Sequence, residues 1–315
     1  MPNKMNRRKF IASTAVGAAG ASMFLSCEQK ALTEKPALQA KEPPLTGLAT
    51  GKIGSLTVSK LICGGNLISG YAHARDLIYV EPLVRKYNTD EKILDTLQLC
   101  EENGINTVIA DPREHPITIF QKYWKERGGK MRWISESYPK PGDVESTITK
   151  AVDSGASAVY VQGAAGDKLV RDGDIEILGK ALDYIKSQGM PGGIGGHDLA
   201  VIAASEKAGF KPDFYMKTLN GMKYWSAKHP EQYDNIWALN PEETIEFMKN
   251  VKVPWIAFKT LGAGAIHPKE GLRYVFENGA DFAVVGMFDW QVRENVQITL
   301  DVLSRDLHRE RPWMA

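Results

Sequence analysis

The chain has 315 residues, 43% of them hydrophobic and 24% charged, enough to bury one barrel-sized core or two smaller ones. Lysines and arginines number 39 against 38 aspartates and glutamates, and the resulting net charge of +1 gives no electrostatic ground for a nucleic-acid or acidic partner. Only 3 cysteines occur, so a disulfide framework is not what holds the fold together.

The first stretch reads as an address rather than as structure. Asn6-Arg7-Arg8-Lys9-Phe10-Ile11 is a twin-arginine pattern, and the Ala/Gly-rich apolar run from Ile11 to Leu25 follows it. That run is too short and too mildly apolar for a comfortable membrane span. Residues 1–27 are therefore expected to be an export signal. Phe24-Leu25-Ser26-Cys27 looks like a loose lipoprotein cleavage box, which makes Cys27 a candidate membrane tether. Cleavage near Ala19-Gly20-Ala21 is the alternative. Residues 28–50 are polar, contain Pro36, Pro43 and Pro44, and read as a flexible tether. The expected location is the periplasm, free or as an anchored lipoprotein.

From Leu56 onward short apolar strands alternate with amphipathic helices. The expected strands are Leu61–Cys63, Thr107–Ala110, Arg132–Ser135, Ala158–Val161, Gly192–Gly195, Phe214–Lys217, Trp255–Lys259 and Phe282–Val285. The expected helices include Asp90–Asn103, with Ile93, Leu94, Leu97 and Leu99 on one face, and Asp143–Asp153, opened by an aspartate cap. A third, Pro241–Lys249, starts with proline after an asparagine. Strands spaced at roughly 25–30 residues, each helix stopped by glycine, predict an α/β fold, a (β/α)8 TIM barrel over residues 51–315. A doubly wound open sheet is the alternative.

Two connections exceed what a barrel requires. Residues 67–90 carry Tyr71, His73, Arg75, Asp76 and Tyr79; residues 219–240 carry Tyr224, Trp225, His229, Tyr233 and Trp237. Both follow strands and so rise over the C-terminal mouth, where barrel ligands bind. Their aromatics, Tyr224 and Trp225 among them, suit either stacking on a sugar ring or the small core of the loop itself. Farther on, Val253 to Asn295 holds two strands that stop in glycine. Lys259, Leu261, Gly262 and Gly264 follow the first, and Gly286 ends the second, ahead of Gln291, Arg293, Glu294 and Asn295 on a helix. Backbone amides at a helix start suit a phosphate-bearing ligand.

These segments together resemble the aldo/keto reductase superfamily over Gly51 to about Arg305. Gly54 to Gly65 is similar to its entry hairpin and first strand, and Glu102 to Asp111 to its first helix exit and second strand. Phe258-Lys259-Thr260-Leu261-Gly262-Ala263-Gly264 resembles its seventh-strand turn, and Gly286 with Gln291, Glu294 and Asn295 its adenosine-holding segment. The resemblance implies NADP or NAD as cofactor and an Asp-Tyr-Lys-His tetrad for carbonyl reduction. Asp111 matches the aspartate. Where tyrosine belongs stands Pro116, preceded by His115; the lysine position reads Ile134-Ser135-Glu136-Ser137; the histidine position offers Tyr160-Val161-Gln162. A carboxylate at Glu136 raises the pKa of a neighbouring phenol, the reverse of what a lysine does there.

A different constellation is expected at the mouth: Asp111, His115, Glu136, Gln162, His197, Lys217 and Lys259, all at or just past strand ends. His197 and Glu136 are the acid/base candidates, with Asp111 and His115 beside them and Gln162, Lys217, Tyr224 and Trp225 for substrate. Ligands scattered over separate strands lack a metal-site spacing, so no metal is assigned. The sequence thus supports an exported oxidoreductase-type barrel for a carbonyl or sugar substrate. A metal-assisted or cofactor-free sugar isomerase or lyase is one alternative, and a non-catalytic glycan- or small-ligand-binding lipoprotein is the other.

Overall fold

The structure is a computed structural model that describes residues 43–73, 77–221, 223–224, 238 and 240–315. The export signal, Cys27, most of the tether, and Arg75, Asp76, Trp225, His229, Tyr233 and Trp237 lie outside the described residues. The compact body runs from Leu45 to Ala315.

Its first element is an antiparallel hairpin of β1 (Thr50–Ile53) and β2 (Leu56–Ser59), turned at Gly54. The barrel follows as β3 (Leu61–Gly64), β4 (Thr107–Ala110), β5 (Arg132–Ser137), β6 (Ala158–Val161), β7 (Gly192–Gly196), β8 (Phe214–Thr218), β9 (Trp255–Phe258) and β10 (Phe282–Gly286). The strands pair in parallel, each with its successor, and β10 closes on β3, so the sheet has no free edge. Helices cross over between them: α1 (Val80–Tyr87), α2 (Asp90–Glu102), α3 (Glu114–Glu126), α4 (Ser146–Asp153), α5 (Gly163–Asp172), α6 (Ile175–Ser187), α7 (Leu199–Ala208), α8 (Pro241–Met248), α9 (Pro268–Glu277) and α10 (Asp289–Leu303). The expected (β/α)8 barrel is the fold found. Among the described residues no helix is long and apolar enough to cross a membrane.

The strand residues alternate between two cores. Ile62, Ile109, Ile134, Tyr160, Phe214, Met216, Ile256, Phe282 and Val284 fill the barrel interior. Leu61, Cys63, Val108, Trp133, Val161, Ile194, Tyr215, Trp255 and Val285 face the helices instead. This alternation decides which polar residues at the strand ends point into the mouth. β7, sequence Gly-Gly-Ile-Gly-Gly, shows why small residues are needed: a Cβ on Gly193 would sit 2.4 Å from the Phe214 ring, and one on Gly195 2.7 Å from the Val161 carbonyl. The aromatic ring of β8 and the backbone of β6 occupy that space.

Element edges differ from the sequence expectation in small, explicable ways. On α2 the buried face is Ile93, Leu94, Thr96, Leu97 and Cys100, with Cys100 taking the place expected of Leu99. α4 begins three residues late because Asp143 holds the Ser146 amide and hydroxyl, at 3.2 and 2.7 Å, from outside the helix. At the opposite end of the barrel Arg311, fully buried, donates to Asp281 at 2.7 Å and to the carbonyls of Met248, Gly279, Val251 and Val253. That one guanidinium ties the C-terminal segment to α8, α9 and β10.

Candidate active site

Counting along each strand from its interior-facing residues gives the inner ring of the mouth. Two residues past Ile109 is Asp111; past Ile134 is Glu136; past Tyr160 is Gln162; past Gly195 is His197. Asp111 is buried and fully engaged. Ser69 donates to it at 2.5 Å, and Arg113 donates through its amide at 3.1 Å and through Nε and Nη2 at 2.7 and 3.1 Å. Burial alone would raise the Asp111 carboxyl; the Arg113 and Ser69 hydrogen bonds outweigh it and hold the group below the usual carboxylate range. Arg113 in turn donates to the Tyr71 hydroxyl at 3.1 Å and to the Ser69 carbonyl at 3.0 Å, with its guanidinium 4.3 Å from the Tyr71 ring centroid.

Glu136 meets two phenols. Tyr138 donates to Oε2 and Tyr160 to Oε1 at 3.3 Å. Tyr160 pairs with Glu136 across the β5–β6 register, and Tyr138 lies two residues further along the same side. Burial raises the Glu136 carboxyl above its ordinary range, and the negative Asp111 adds to the shift; the two phenol bonds only partly oppose it. The same burial and the same carboxylate push both phenols up. The cluster therefore holds its protons more tightly than isolated groups would.

His197 is oriented by Asp167, a residue of α5 that the sequence reading did not include. Asp167 accepts from His197 Nδ1 at 2.7 Å, and its other oxygen accepts the His197 and Asp198 amides, both at 2.9 Å. Since the carboxylate only accepts, Nδ1 carries the proton and Nε2 the lone pair. The ring lies between Phe258, with centroids 5.1 Å apart, and Gly163, where a Cβ would come within 3.0 Å of Cε1. Burial lowers the His197 pKa below its usual value, Asp167 opposes this, and the charges of Lys259 and Lys217 reinforce it. The imidazole is thus neutral near pH 7, with Nδ1 held by Asp167.

Lys259 stands past β9 in a left-handed conformation, φ 55°, which costs a non-glycine residue energy and breaks the strand alternation. Its Nζ lies 3.0 Å from His73 Nε2, and Asn66 Nδ2 lies 3.2 Å from the same nitrogen. The long loop after β3 therefore does reach the mouth.

Other expected site residues lie elsewhere or are spent on the framework. Lys217 shares the helix-facing side of β8 with Tyr215; it is 1% exposed, and its ammonium donates to the His197 carbonyl at 2.7 Å and to the Thr218 hydroxyl and carbonyl. It braces the ends of β7 and β8 rather than facing a substrate. Burial lowers its pKa to about 8. His115 is in the first turn of α3 on the outer surface, 2.9 Å from Asp90 on α2, because the helix has already turned away from the mouth. Gln162 caps α5, its Oε1 accepting the Ala164 and Ala165 amides at 2.8 and 3.2 Å. Among the described residues no group of three or more His, Cys, Asp or Glu is arranged to hold a metal ion.

No protein-family model matches the chain. No curated protein matches it either. Solved structures do. A candidate aldo-keto reductase from Pseudomonas aeruginosa aligns with a TM-score of 0.60 at 16% identity, covering 84% of this chain and 99% of that one. A second structure of a candidate aldo-keto reductase from the same organism gives 0.59 at 16% identity, over 82% and 98%. The fold is an aldo-keto-reductase-like barrel. A truncated 3-deoxy-D-arabino-heptulosonate 7-phosphate synthase from Thermotoga maritima is also similar, with a TM-score of 0.50 at 11% identity over 84% and 94%. At these identities the likeness carries the architecture, and the chemistry has to come from the side chains.

The resemblance also implies a nicotinamide dinucleotide across the ends of β9 and β10, and the residues there answer only in part. Gly264 and Gly286 leave open space: a Cβ on Gly286 would find its nearest atom at 3.8 Å, and one on Gly264 none within 4 Å. The Tyr224 ring lies over Gly262, 2.9 Å from where a Cβ would stand, while Leu261 packs its side chain beside Gly271. At the start of α10, Gln291 accepts the Phe288 amide at 3.1 Å. Asp289 in the first turn is held by Tyr87 at 2.6 Å and Lys92 at 2.9 Å, placing the protein's own carboxylate where a phosphate would bind. Asn295 is buried and Glu294 exposed, so these neighbours present no common surface to an adenosine. As they stand, these residues do not fit a dinucleotide bound in that way.

The residues the sequence reading missed are Ser69, Arg113, Tyr138, Tyr160 and Asp167. Tyr138 carried a usable signal, since it stands two residues beyond Glu136 on the same side of the chain, whereas Arg113 reaches Asp111 around the turn into α3. Asp167 carried none, because it reaches His197 across 30 residues through the packing of α5 on β7.

Proposed function

We propose that this chain is a barrel enzyme that moves protons on a carbonyl or sugar substrate, with His197 as general base and Glu136 as general acid. The observation that carries this is the His197–Asp167 bond of 2.7 Å at the barrel mouth, which fixes the tautomer with the lone pair on Nε2. His197 Nε2 removes the proton on the carbon next to the carbonyl. The proton held on Glu136 passes to the carbonyl oxygen, giving an enediol that collapses by the reverse transfers at the adjacent carbon. Such a reaction is an isomerisation; with a leaving group beyond that carbon it is an elimination. The test is deuterium uptake from heavy water into a panel of aldoses, ketoses and hydroxyketones, followed by proton NMR. Uptake that His197→Ala abolishes supports the proposal, and undiminished uptake in that variant overturns it.

A second reading, an oxidoreductase on the same substrate class, is supported by the aldo-keto-reductase-like barrel and by the open glycines 264 and 286. Protein purified folded from the cytoplasm and carrying stoichiometric NADP or NAD by mass spectrometry would favour it. Export by the twin-arginine route and anchoring at Cys27 rest on the sequence pattern alone. Secretion that survives Arg7→Lys with Arg8→Lys, or membrane attachment that survives Cys27→Ser, would count against them.

A further inference from the structure

We infer that the flank of the barrel formed by α1 and the start of α10 is a surface that lies against a phospholipid bilayer. This rests on the anchoring proposed at Cys27 for what brings the bilayer near, and on the surface itself for how the bilayer is met.

α1 turns its apolar stripe outward. Its one buried residue is Val84. Tyr79 at its N-cap, Leu83 and Tyr87 recur every four residues and so line one face, and all three are exposed, Leu83 by 57%. Leu77 and Ile78 precede them, Ile78 with 91% of its surface open. The stripe continues onto α10. Tyr87 meets the Phe288 ring edge-on at 5.3 Å, and Phe288 stacks at 6.0 Å on Trp290, itself 63% exposed. The Tyr87 hydroxyl donates to Asp289 at 2.6 Å, so the two elements present one surface. Among the described residues the other large exposed hydrophobics are Tyr71 and Tyr138 at the mouth and Trp313 near the C-terminus, so this flank holds the one cluster of them. Clustered apolar exposure marks an interaction surface, whereas scattered apolar exposure does not.

What covers the flank follows from where the chain enters the body. Leu45, the first residue of the body, donates its amide to Asn103 at the end of α2 at 3.0 Å, and it lines a groove along α10 together with Trp290, Arg293 and Ile298. α10 packs on α2, so the point of entry and the apolar stripe share one flank. Residues 28–44 span at most about 60 Å when extended and on the order of 20–25 Å on average. A lipid on Cys27 thus holds this flank close to the bilayer at a high effective concentration.

The residue types suit that occupant. Tyrosine and tryptophan rings settle at the headgroup level, and leucine and isoleucine enter the acyl boundary. The charges nearly cancel: Arg85 pairs with Glu81 at 2.7 Å and Lys92 with Asp289 at 2.9 Å. Lys86 stands beside the stripe on a stem long enough to reach headgroups. Burial of apolar surface therefore drives the contact, and anionic lipid is not required.

The experiment couples the mature chain through Cys27 to a maleimide lipid in phosphatidylcholine vesicles; Cys63 and Cys100 are buried and do not compete. Nitroxide-labelled phosphatidylcholine in the same vesicles quenches nearby tryptophans, and subtracting the Trp290→Phe variant isolates Trp290. We expect Trp290 emission to fall at least twofold, equally so when phosphatidylglycerol replaces about a third of the lipid. Ile78→Ser with Leu83→Ser should restore most of the emission while leaving the melting temperature unchanged. An unquenched Trp290 overturns the inference. Quenching that needs phosphatidylglycerol overturns it too, as does an uncoupled chain that is a dimer split by Leu83→Ser. Quenching of the coupled chain, together with a native chain that carries no lipid on Cys27, would leave the surface standing and sink the anchoring.

Discussion

Replacing Asp167 by asparagine tests the site with little change of shape. In the wild type one oxygen of Asp167 accepts the amides of His197 and Asp198 at 2.9 Å, and the other accepts Nδ1–H at 2.7 Å. Asparagine has a single acceptor oxygen. If it serves the two amides, its NH2 faces Nδ1, and two donors cannot share the bond. The ring then moves its proton to Nε2, so the lone pair points at the introduced amide and away from the substrate. The lost charge-assisted bond is worth about 1.5–3 kcal/mol. The wrong tautomer removes general-base catalysis, on the order of 10²–10⁴ in rate. Nitrogen-15 NMR of the imidazole reads the tautomer without any substrate: protonated Nδ1 in the wild type, protonated Nε2 in Asp167→Asn. Deuterium exchange should fall together with that switch. An unchanged tautomer with an exchange rate within about threefold of wild type would refute the reasoning.

Further outcomes follow from the same geometry. Gly163→Ala places a methyl 3.0 Å from His197 Cε1, so exchange should fall about tenfold while the melting temperature shifts by only a few degrees; a large stability loss with unaltered exchange would be the wrong pattern. The exchange rate should trace a bell against pH: its acid limb lies below 6.5, where His197 gains a proton, and its alkaline limb lies above 4.5, where Glu136 loses one. An acid limb above 6.5, or an alkaline limb below 4.5, would contradict the respective assignment. Lys217, lowered from 10.5 to about 8, burdens the fold with its charge below about pH 8, so stability should rise by about 3 kcal/mol as pH goes from 8 toward 10.5. Subtracting the profile of Lys217→Met isolates this term, and a difference that does not change over that range would show the lysine is not buried as described. Arg311→Met removes five bonds and leaves the buried Asp281 only the Trp255 and Met314 amides and the more distant Arg309, at a cost of about 3 kcal/mol; chemical denaturation reads it, and a loss under about 1 kcal/mol would refute the brace.

The barrel was legible because its signals are local. Most strands are apolar runs of four to six residues between turn residues, and the expected strands agree with the observed ones to within two residues at either end. The cap at Asp143 shows the limit of such signals: the right residue type was present, but it bonds the Ser146 amide from outside, and only the geometry of the turn tells the two arrangements apart. The candidate site was legible in part. Asp111, Glu136 and His197 stand at the mouth as expected, because strand ends converge there whatever the loops do. Lys217 was misassigned although the alternation was present in the sequence: Phe214 and Met216 are the inward residues, and the lysine between them and the strand end must face the helices. His115 was misassigned because a residue one helical turn past a strand can leave the mouth altogether.

What the sequence by itself determined is the (β/α)8 architecture, and with it which residues stand at the strand ends. Tertiary structure alone decided what surrounds them. Asp167 under His197, Tyr138 and Tyr160 on Glu136, and Arg113 on Asp111 are contacts between side chains on different elements or around a turn. The physical reason is range. Hydrophobic periodicity is set by neighbours along the chain, whereas proton affinity is set by whichever charges and dipoles the closed barrel brings within a few ångströms.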